Sequence, residues 1–353
     1  MNIRSPTAEE HLAFLVKLQR LLAEGDFTAT YKFALLIALA DIAVEIGHDD
    51  DRTLNISMRD IAEKFIDYYW QQSVPYSIGQ PDTPTEVLHQ NNGKSAKVIS
   101  DIQSFRTTSG TNSLALAKRN AYFQKLVSSV ALTVAAQPVN YLQNLGGTTD
   151  IFIFERVPRG VKLRPGVSSH LRKFRSLIQE IARNRWVEQI KKNKLNRLIL
   201  GQYDDLHGFL FETSPRSLQL IGAGLTKLFA GRCFYCRQPI HGSLDVDHFI
   251  PFSLYGRNIG QNFVIADPAC NRSKSDTLAA GQHLEKWLEQ VEKHRDDVAE
   301  ITNTAGVLND EKAIISVARW AYQSASETGA SAWVRKRVYE RITEADVRLL
   351  RVT

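Results

Sequence analysis

The placement of the cysteines constrains this chain more than any other feature. All three cysteines of the 353 residues lie in one segment, as Cys233, Cys236 and Cys270. The spacing Cys233-Phe-Tyr-Cys236 is typical of half a tetrahedral zinc site, in which two thiolates on one turn bind the same ion. Three cysteines cannot build a disulfide framework, and their number and spacing suit a reducing compartment. We therefore predict a structural zinc site in a cytoplasmic protein.

A structural zinc site takes four protein ligands, and Cys270 supplies the third. Asp267 stands three residues before Cys270, so this pair repeats the spacing of the first with a carboxylate in place of one thiolate. His241 is the other candidate, because histidine is the commoner zinc ligand. The spacing favours Asp267, and both residues remain candidates. Three buried cysteines without a metal are the alternative interpretation.

Residues suited to catalysis lie between the two halves of this zinc site. The segment Asp245-Val-Asp247-His248 predicts a short strand that carries both carboxylates on one face and ends before Pro251. Asn262 follows in a polar loop, and residues 263–265 predict a second strand. A helix is expected to begin at Cys270-Asn271. A single Asp-His pair is usually a surface pair, so only the combination of these elements indicates a site.

In this order of elements, the segment resembles the HNH endonucleases of the ββα-metal fold. Their motif contains Cys-x-x-Cys, Asp-His-x-x-Pro, an asparagine followed by a strand, and a second knuckle ending in Cys-Asn-x-x-Lys, all present here. The segment is also similar to the HNH domain of RNA-guided CRISPR nucleases, which shares the Asp-Val-Asp-His start and the Asn-Arg-x-Lys-Ser-Asp end. The resemblance covers about residues 228–285. The rest of the chain is similar, less specifically, to the helical flanks of bacterial HNH proteins of restriction or phage defence.

The resemblance implies metal-dependent hydrolysis of phosphodiester bonds in DNA. His248 would be the general base that activates water, and Asp247 and Asn271 would bind one divalent cation, Mg²⁺ or else Mn²⁺ or Ni²⁺. Asn262 would brace the loop and orient His248. Two basic residues would contact phosphate from the start of the last helix, namely Arg272 and Lys274. Many members of the family have cysteine where Asp267 stands, so we expect weaker zinc binding than by four thiolates.

Basic residues concentrate in residues 156–197, which contain thirteen Lys and Arg against Glu180 and Glu188, while the whole chain has a net charge of +6. Such a run is often a solvated helix face, but this imbalance favours contact with a nucleic-acid backbone. A smaller basic patch comprises residues 335–337 and Arg341, and there a solvated face is favoured over a second DNA contact. The candidate contacts in the larger run are Arg172, Lys173, Arg175, Arg183, Arg185, Lys191 and Lys192.

The remaining sequence predicts a mainly α protein with a small α+β insertion. Residues 30–46 form an apolar helix that Asp41 interrupts, so it is expected in a core and not in a membrane. A hairpin is expected around residue 158, followed by a helix over 169–192. We predict four parts: a helical domain of unknown role (1–150), the hairpin with a basic helical segment that contacts DNA (151–220), the HNH nuclease domain with its zinc knuckle (221–285) and a helical C-terminal region (286–353).

Three functions are compatible with these features. The favoured one is a metal-dependent endonuclease acting on double-stranded DNA in bacterial restriction or anti-phage defence, with a defence-system partner subunit as a further candidate and no membrane partner. One alternative is a zinc-knuckle nucleic-acid-binding protein without cleavage, which the filled positions Asp247, His248 and Asn271 disfavour. The other is an RNA-cleaving toxin or abortive-infection effector, because the motif does not distinguish DNA from RNA.

Overall fold

The structure is a computed structural model that describes residues 3–76, 86–93, 95–200 and 205–351. The described residues are mostly helical with small sheets, which confirms the predicted mainly α composition. The helices are α1 (Ala8–Glu24), α2 (Tyr31–Ile46), α3 (Met58–Trp70), α4 (Lys97–Ser109), α5 (Leu114–Arg119), α6 (Phe123–Ala136), α7 (Pro138–Tyr141), α8 (Val167–Lys173), α9 (Arg175–Lys192), α10 (Arg197–Leu200), α11 (Leu206–Phe211), α12 (Pro215–Leu228), α13 (Pro268–Lys274), α14 (Gly281–Lys293), α15 (Arg295–Thr304), α16 (Glu311–Thr328) and α17 (Glu344–Leu349). The strands are β1 (Leu54–Ser57), β2 (Asn144–Leu145), β3 (Thr148–Thr149), β4 (Phe154–Val157), β5 (Gly160–Leu163), β6 (Asp245–His248), β7 (Phe263–Ala266), β8 (Ser331–Arg335) and β9 (Val338–Arg341).

The chain divides into two compact units. Unit 1 comprises residues 1–111 and 119–211, and unit 2 comprises residues 112–118 and 212–353. The four-part division expected from the sequence stays a prediction.

The centre of unit 1 is α2, whose residues from Tyr31 to Val44 are all buried. The alanine, leucine and isoleucine side chains of α2 cover all of its faces. The helix can therefore pack against α3, α7, α8 and α9 at once. Among the described helices, none combines the length and the apolar character needed to cross a membrane. The apolar run of residues 30–46 is therefore a core helix, as its interruption by Asp41 suggested.

The expected hairpin near residue 158 is present in unit 1 as β4 and β5, which pair antiparallel with Phe154 opposite Leu163. The sequence analysis missed β1, which adds a third strand by pairing Leu54 with Leu163 on the other side of β5. The single helix expected over residues 169–192 is broken at Phe174, where φ is −104° and ψ is 14°, into α8 and α9.

Arg172 and Arg175 of the basic run bind partners inside unit 1. This corrects their assignment as nucleic-acid contacts. The Arg172 guanidinium donates to both oxygens of Asp49, at 2.6 and 2.8 Å, and to the last carbonyls of α2 at Ala43 and Val44. Cations stabilise a helix at that end, because its carbonyls lack partners within the helix. Arg175 donates to Oδ1 of Asp41 at 2.7 Å, and both side chains are 1% exposed.

A third arginine of the run, Arg183, is also buried, with its guanidinium carbon 4.7 Å from the centre of the Phe211 ring. It too is therefore withdrawn as a nucleic-acid contact. The physical reason is shared by all three: buried carboxylates, open helix ends and aromatic faces inside unit 1 attract cations that the run supplies. The exposed members keep their assignment as a prediction, and they are Lys173, Arg185, Lys191 and Lys192.

We expect Arg175→Ala to destabilise unit 1 by about 3–5 kcal/mol, because the change leaves the Asp41 carboxylate buried without its counter-charge. Urea unfolding followed by tryptophan fluorescence measures this loss. The exposed neighbour Lys173 supplies the control, since Lys173→Ala should change the free energy of unfolding by less than about 0.5 kcal/mol. Equal stabilities of the two variants would contradict the structural role of Arg175.

Unit 2 is built on the antiparallel pair β6–β7, which packs against α12. Its core joins Ile221 and Leu225 of α12, Phe263 and Ile265 of β7, and Val298 of α15. The C-terminal region was expected to be helical throughout, but it contains the hairpin β8–β9 between α16 and α17. This hairpin depends on tertiary contacts, because the backbone of Trp333 bonds to residues 278–280 and not to a neighbouring turn.

Candidate active site and metal centre

Strand β6 carries three predicted site residues, Asp245, Asp247 and His248. Asp245 and Asp247 are two positions apart on this strand and therefore project from the same face. His248 ends the strand opposite Phe263 of β7, and all four residues of β6 are partly buried. The predicted pair of strands is present, and it holds the carboxylates and the imidazole in a fixed relation.

His248 is held by a hydrogen bond that selects its tautomer. Its Nε2 lies 2.9 Å from Oδ1 of Asn258. A carbonyl oxygen can only accept, so Nε2 must carry the hydrogen and the neutral ring keeps its lone pair on Nδ1. Burial lowers the pKa of His248, although the bond to Asn258 and the nearby Asp247 oppose that change. The ring is thus neutral at neutral pH and able to accept a proton at Nδ1.

Asn262 fixes the chain immediately after His248. It is fully buried, its Oδ1 accepts from the backbone nitrogen of Ile250 at 2.8 Å, and its Nδ2 donates to the carbonyl of the same residue at 2.9 Å. The backbone nitrogen of Phe249 also donates to the carbonyl of Asn262, at 2.8 Å. The sequence analysis placed this asparagine in a polar loop, whereas it lies in a buried 3₁₀ turn (Gly260–Asn262).

The Asp247 carboxylate has two protein partners on the same oxygen. The Tyr235 hydroxyl donates to Oδ2 at 2.5 Å, and the ammonium of Lys274 lies 3.1 Å from that atom. Burial, with Asp247 beside it, raises the pKa of Tyr235, so the phenol stays protonated and donating. These contacts orient the carboxylate, and within the described residues they leave Oδ1 without a hydrogen-bond donor.

Lys274 was expected to contact phosphate, and the structure corrects this expectation. The side chain is fully buried, and its ammonium donates to the backbone carbonyl of His248 at 3.0 Å in addition to pairing with Asp247. The expected helix start is also displaced, because Asp267 caps α13 and Pro268 begins it. Lys274 and the exposed Arg272 therefore lie in the last turn of α13, where the helix dipole disfavours an anion.

Asn271 meets the site from α13. Its amide nitrogen donates to Oδ2 of Asp245 at 3.0 Å. That bond uses the amide nitrogen and leaves the amide oxygen available to bind a cation. Asp245 therefore orients the Asn271 side chain. Asp247 and Asn271 both offer side-chain oxygens, the ligand atoms that a hard divalent cation such as Mg²⁺ prefers.

The three cysteines form a second candidate metal centre. Their sulfur atoms all lie within 4.8 Å of one another, with Cys233 buried, Cys236 exposed and Cys270 partly exposed. The Cys233–Cys236 turn is closed by the Arg237 nitrogen, which donates to the Cys233 carbonyl at 3.0 Å. Burial and the two neighbouring thiols raise the pKa of Cys270, because thiolates this close repel one another. A zinc ion would remove that repulsion, and the sulfur set fits it.

The two candidates for the fourth zinc ligand lie outside this group of sulfur atoms. Oδ1 of Asp267 accepts from the backbone nitrogen of Ala269 at 2.8 Å and so caps α13. The side chain of His241 is exposed. The choice between these two residues stays a prediction.

Sequence reasoning missed two residues that hold the site together, Tyr235 and Asn258. Tyr235 stands inside the Cys-x-x-Cys turn, where its position directly before a zinc ligand was the available signal. Asn258 had no such signal, because the loop from Pro251 to Asn262 can close in many ways and only the folded chain shows which polar residue reaches His248.

Asn258→Ala is expected to lower the turnover number for cleavage about 10–100-fold with an unchanged KM, because the imidazole loses the acceptor that sets its tautomer. Initial rates over a range of DNA concentrations measure the two parameters separately. Asn258→Asp keeps an acceptor and should recover much of the rate. A rise in KM without a change in turnover would show that Asn258 binds substrate and does not position His248.

Comparisons with known proteins agree with this geometry at the level of the family. Residues 11–206 match the family model described as Domain of unknown function (DUF8808), which is more than half of the chain. Residues 233–277 match the HNH endonuclease model, so the resemblance drawn from the motif is confirmed. Neither the curated proteins nor the solved structures contain a match to this chain.

Proposed function

The chain belongs to the family of the domain of unknown function DUF8808, and because it also carries an HNH endonuclease domain, we propose that it is a metal-dependent endonuclease that cleaves DNA. One observation carries this proposal: His248, held through Nε2 by Asn258, follows Asp247 on β6, and Asn271 of α13 bonds to Asp245 of the same strand. Phosphodiester hydrolysis needs a base for water and positive charge at the phosphate, and this group of residues can provide both.

Each residue of the site has a defined part in the proposed reaction. Nδ1 of His248 takes a proton from water, and Asn258 holds the ring so that this nitrogen stays unprotonated. Asp247 and Asn271 would hold the cation, which supplies positive charge to the phosphate and the departing 3′ oxygen when bound. Tyr235 and Lys274 keep the Asp247 carboxylate in place. Hydrolysis in this sense leaves 5′-phosphate and 3′-hydroxyl ends.

The zinc centre is structural in this proposal. The backbone nitrogen of Phe234, within the cysteine turn, donates to the carbonyl of Ile265 in β7 at 2.9 Å. The next residue, Tyr235, reaches Asp247. A zinc ion on Cys233, Cys236 and Cys270 would therefore hold the turn against the strand pair that carries the active site.

Incubation of supercoiled plasmid with the purified protein tests the activity. We expect nicked or linear DNA in Mg²⁺, Mn²⁺ or Ni²⁺ and intact plasmid in EDTA. Binding of DNA without cleavage in any of the three ions would favour the zinc-knuckle binding protein instead. Matched DNA and RNA duplexes of one sequence decide the substrate, since faster cleavage of RNA would indicate a ribonuclease effector.

The biological setting that we propose is bacterial restriction or anti-phage defence in the cytoplasm. Its support is the less specific resemblance of the flanking sequence to bacterial HNH proteins with such roles, while the family model matched by residues 11–206 is of unknown function. Expression in a phage-sensitive host should lower the plating efficiency of phage, and the His248→Ala chain should not. A defence-system partner would co-purify with the chain from its native host, and equal plating with both chains would reject the defence role.

A further inference from the structure

The hairpin β8–β9 is fixed against the helix that carries Asn271. The indole nitrogen of Trp333 donates to the Ser273 hydroxyl at 3.0 Å, and its side chain is 1% exposed. The Trp333 backbone nitrogen donates to Leu278 at 2.8 Å, and its carbonyl accepts from Ala280 at 2.9 Å. Ser273 lies two residues after Asn271 in α13. The hairpin therefore has a defined position beside the candidate active site.

The turn of this hairpin is strongly basic. Residues 335–337 read Arg-Lys-Arg and all three side chains are exposed. Arg341 adds a fourth cation, and Glu340 is the single acidic residue of the sequence from 331 to 341. The turn of the hairpin is therefore positively charged and exposed to solvent, and the contacts of Trp333 fix its position.

A cleft of about 610 Å³ separates the hairpin from the cysteine turn, and its lining includes Cys236, Lys286, Arg335 and Lys336. We call it the knuckle–hairpin cleft. The buried His283 lies in the wall of the cleft. Burial lowers its pKa, and so do the charges of Lys286 and Arg237, although a hydrogen bond to Val334 opposes the change. Arg335 and Lys336 belong to the hairpin and Lys286 belongs to α14, so cations from two elements line the cleft.

Within the described part of the chain, none of Lys286, Arg335 and Lys336 has an ion-pair partner. Lys286, Arg335 and Lys336 line one cleft, and a polyanion would offset the repulsion among them. Acids do lie nearby in sequence, Glu285 on α14 and Glu340 on β9, but within the described residues no ion pair joins them to these cations, whereas Glu289 pairs with Lys293. The arrangement therefore favours a bound anion over solvation alone.

We propose that the knuckle–hairpin cleft binds the sugar-phosphate backbone of DNA on one side of the bond to be cut, with Lys286, Arg335 and Lys336 contacting phosphates. The inference rests on the proposed function for the identity of the polyanion. It replaces the solvated interpretation of the C-terminal basic patch, because the sequence could not show that this patch lies beside α13 and the cysteine turn.

The test compares two triple variants in a His248→Ala background, so that DNA is bound and not cut. One carries Lys286→Ala, Arg335→Ala and Lys336→Ala. The control carries Arg216→Ala, Lys227→Ala and Lys312→Ala, which remove the same charge from exposed positions of α12 and α16. Zinc content and thermal unfolding, measured first, should match the parent for both.

Binding of a labelled duplex is then measured between about 50 and 200 mM salt, the range over which backbone contacts lose affinity. We expect the cleft variant to bind about 10–100-fold more weakly, and the slope of log Kd against log salt to fall by about 2–3, at about 0.9 per phosphate contact. The control should stay within about twofold of the parent.

Equal binding by the two variants, or no binding of DNA by the parent, would overturn the inference. Preferential loss of RNA binding would also overturn it, since the occupant would then be RNA. If the cleft variant alone loses DNA binding while the protein with an intact His248 fails to cut plasmid, the cleft stands and the proposed activity fails. The two proposals can therefore fail separately.

Discussion

His248→Ala should lower the rate of DNA cleavage about 10²–10⁴-fold and leave the affinity for uncut DNA within about twofold of the wild type. The reason is that the variant removes the nitrogen that accepts the proton of water, whereas Asp247, Asn271 and the basic surfaces remain. Single-turnover nicking of plasmid measures the first quantity, and equilibrium binding in EDTA measures the second.

The matched control for this prediction is His294→Ala, a change at a partly exposed histidine that precedes α15. It should cleave at the wild-type rate. Cutting by His248→Ala at the wild-type rate would show that His248 is not the base or that a contaminating nuclease is present. A parallel loss of cleavage and binding would mean that the substitution disrupts the fold of β6.

Because Asn258 acts through His248, the cleavage rate should fall less in Asn258→Ala than in His248→Ala. The double variant should cleave no more slowly than His248→Ala alone.

Loss of zinc should destabilise unit 2 by at least about 3 kcal/mol, because a zinc ion on the three sulfur atoms would join the Cys233–Cys236 turn to Cys270 of α13. Cys233→Ser should lower the zinc content from about one ion per chain to nearly none. Cys233 is fully buried, and the turn that it begins contacts both Ile265 and Asp247 through its next two residues. We therefore expect cleavage to disappear with the metal. Elemental analysis and differential scanning calorimetry measure the two effects, with unit 1 unfolding at an unchanged temperature.

The same measurements identify the fourth zinc ligand. Asp267→Asn keeps a side-chain oxygen to cap α13 but removes the carboxylate charge, so it isolates metal binding from helix capping. We expect it to weaken zinc binding at least about 10-fold, and His241→Ala to leave zinc binding unchanged. The reverse result would assign His241. Unchanged zinc binding in both variants would mean that the fourth ligand comes from neither residue.

Much of the candidate site was predictable because its signals are local. The spacing of Cys233 and Cys236 is that of one turn, and Asp245 and Asp247 share a face in any strand. Residues 30–46 carry apolar side chains on all faces of the helix, which requires burial whichever helices pack against it. In each of these cases, the property depends on residues that are neighbours in sequence, so the chain determines it before tertiary structure forms.

The basic residues show what local signals leave open. The run over residues 156–197 predicted a cationic surface, yet Arg175 pairs with Asp41, which is 134 positions away. Lys274 likewise turns inward to Asp247. The number of charges in a segment does not show which side chains of a helix face a buried carboxylate. Each buried carboxylate needs a cationic partner, so one fewer cation remains at the surface.

By itself, the sequence determined the metal-binding turn, the order of strand and helix around His248, the HNH family of that segment and the mainly helical character of the chain. Tertiary structure alone decided that Asn258 reaches His248, that Lys274 holds Asp247, and that the hairpin β8–β9 stands beside α13. The physical reason is distance along the chain: a turn or strand face is set by adjacent residues, whereas these contacts join loops and strands whose meeting depends on how the whole unit closes its core.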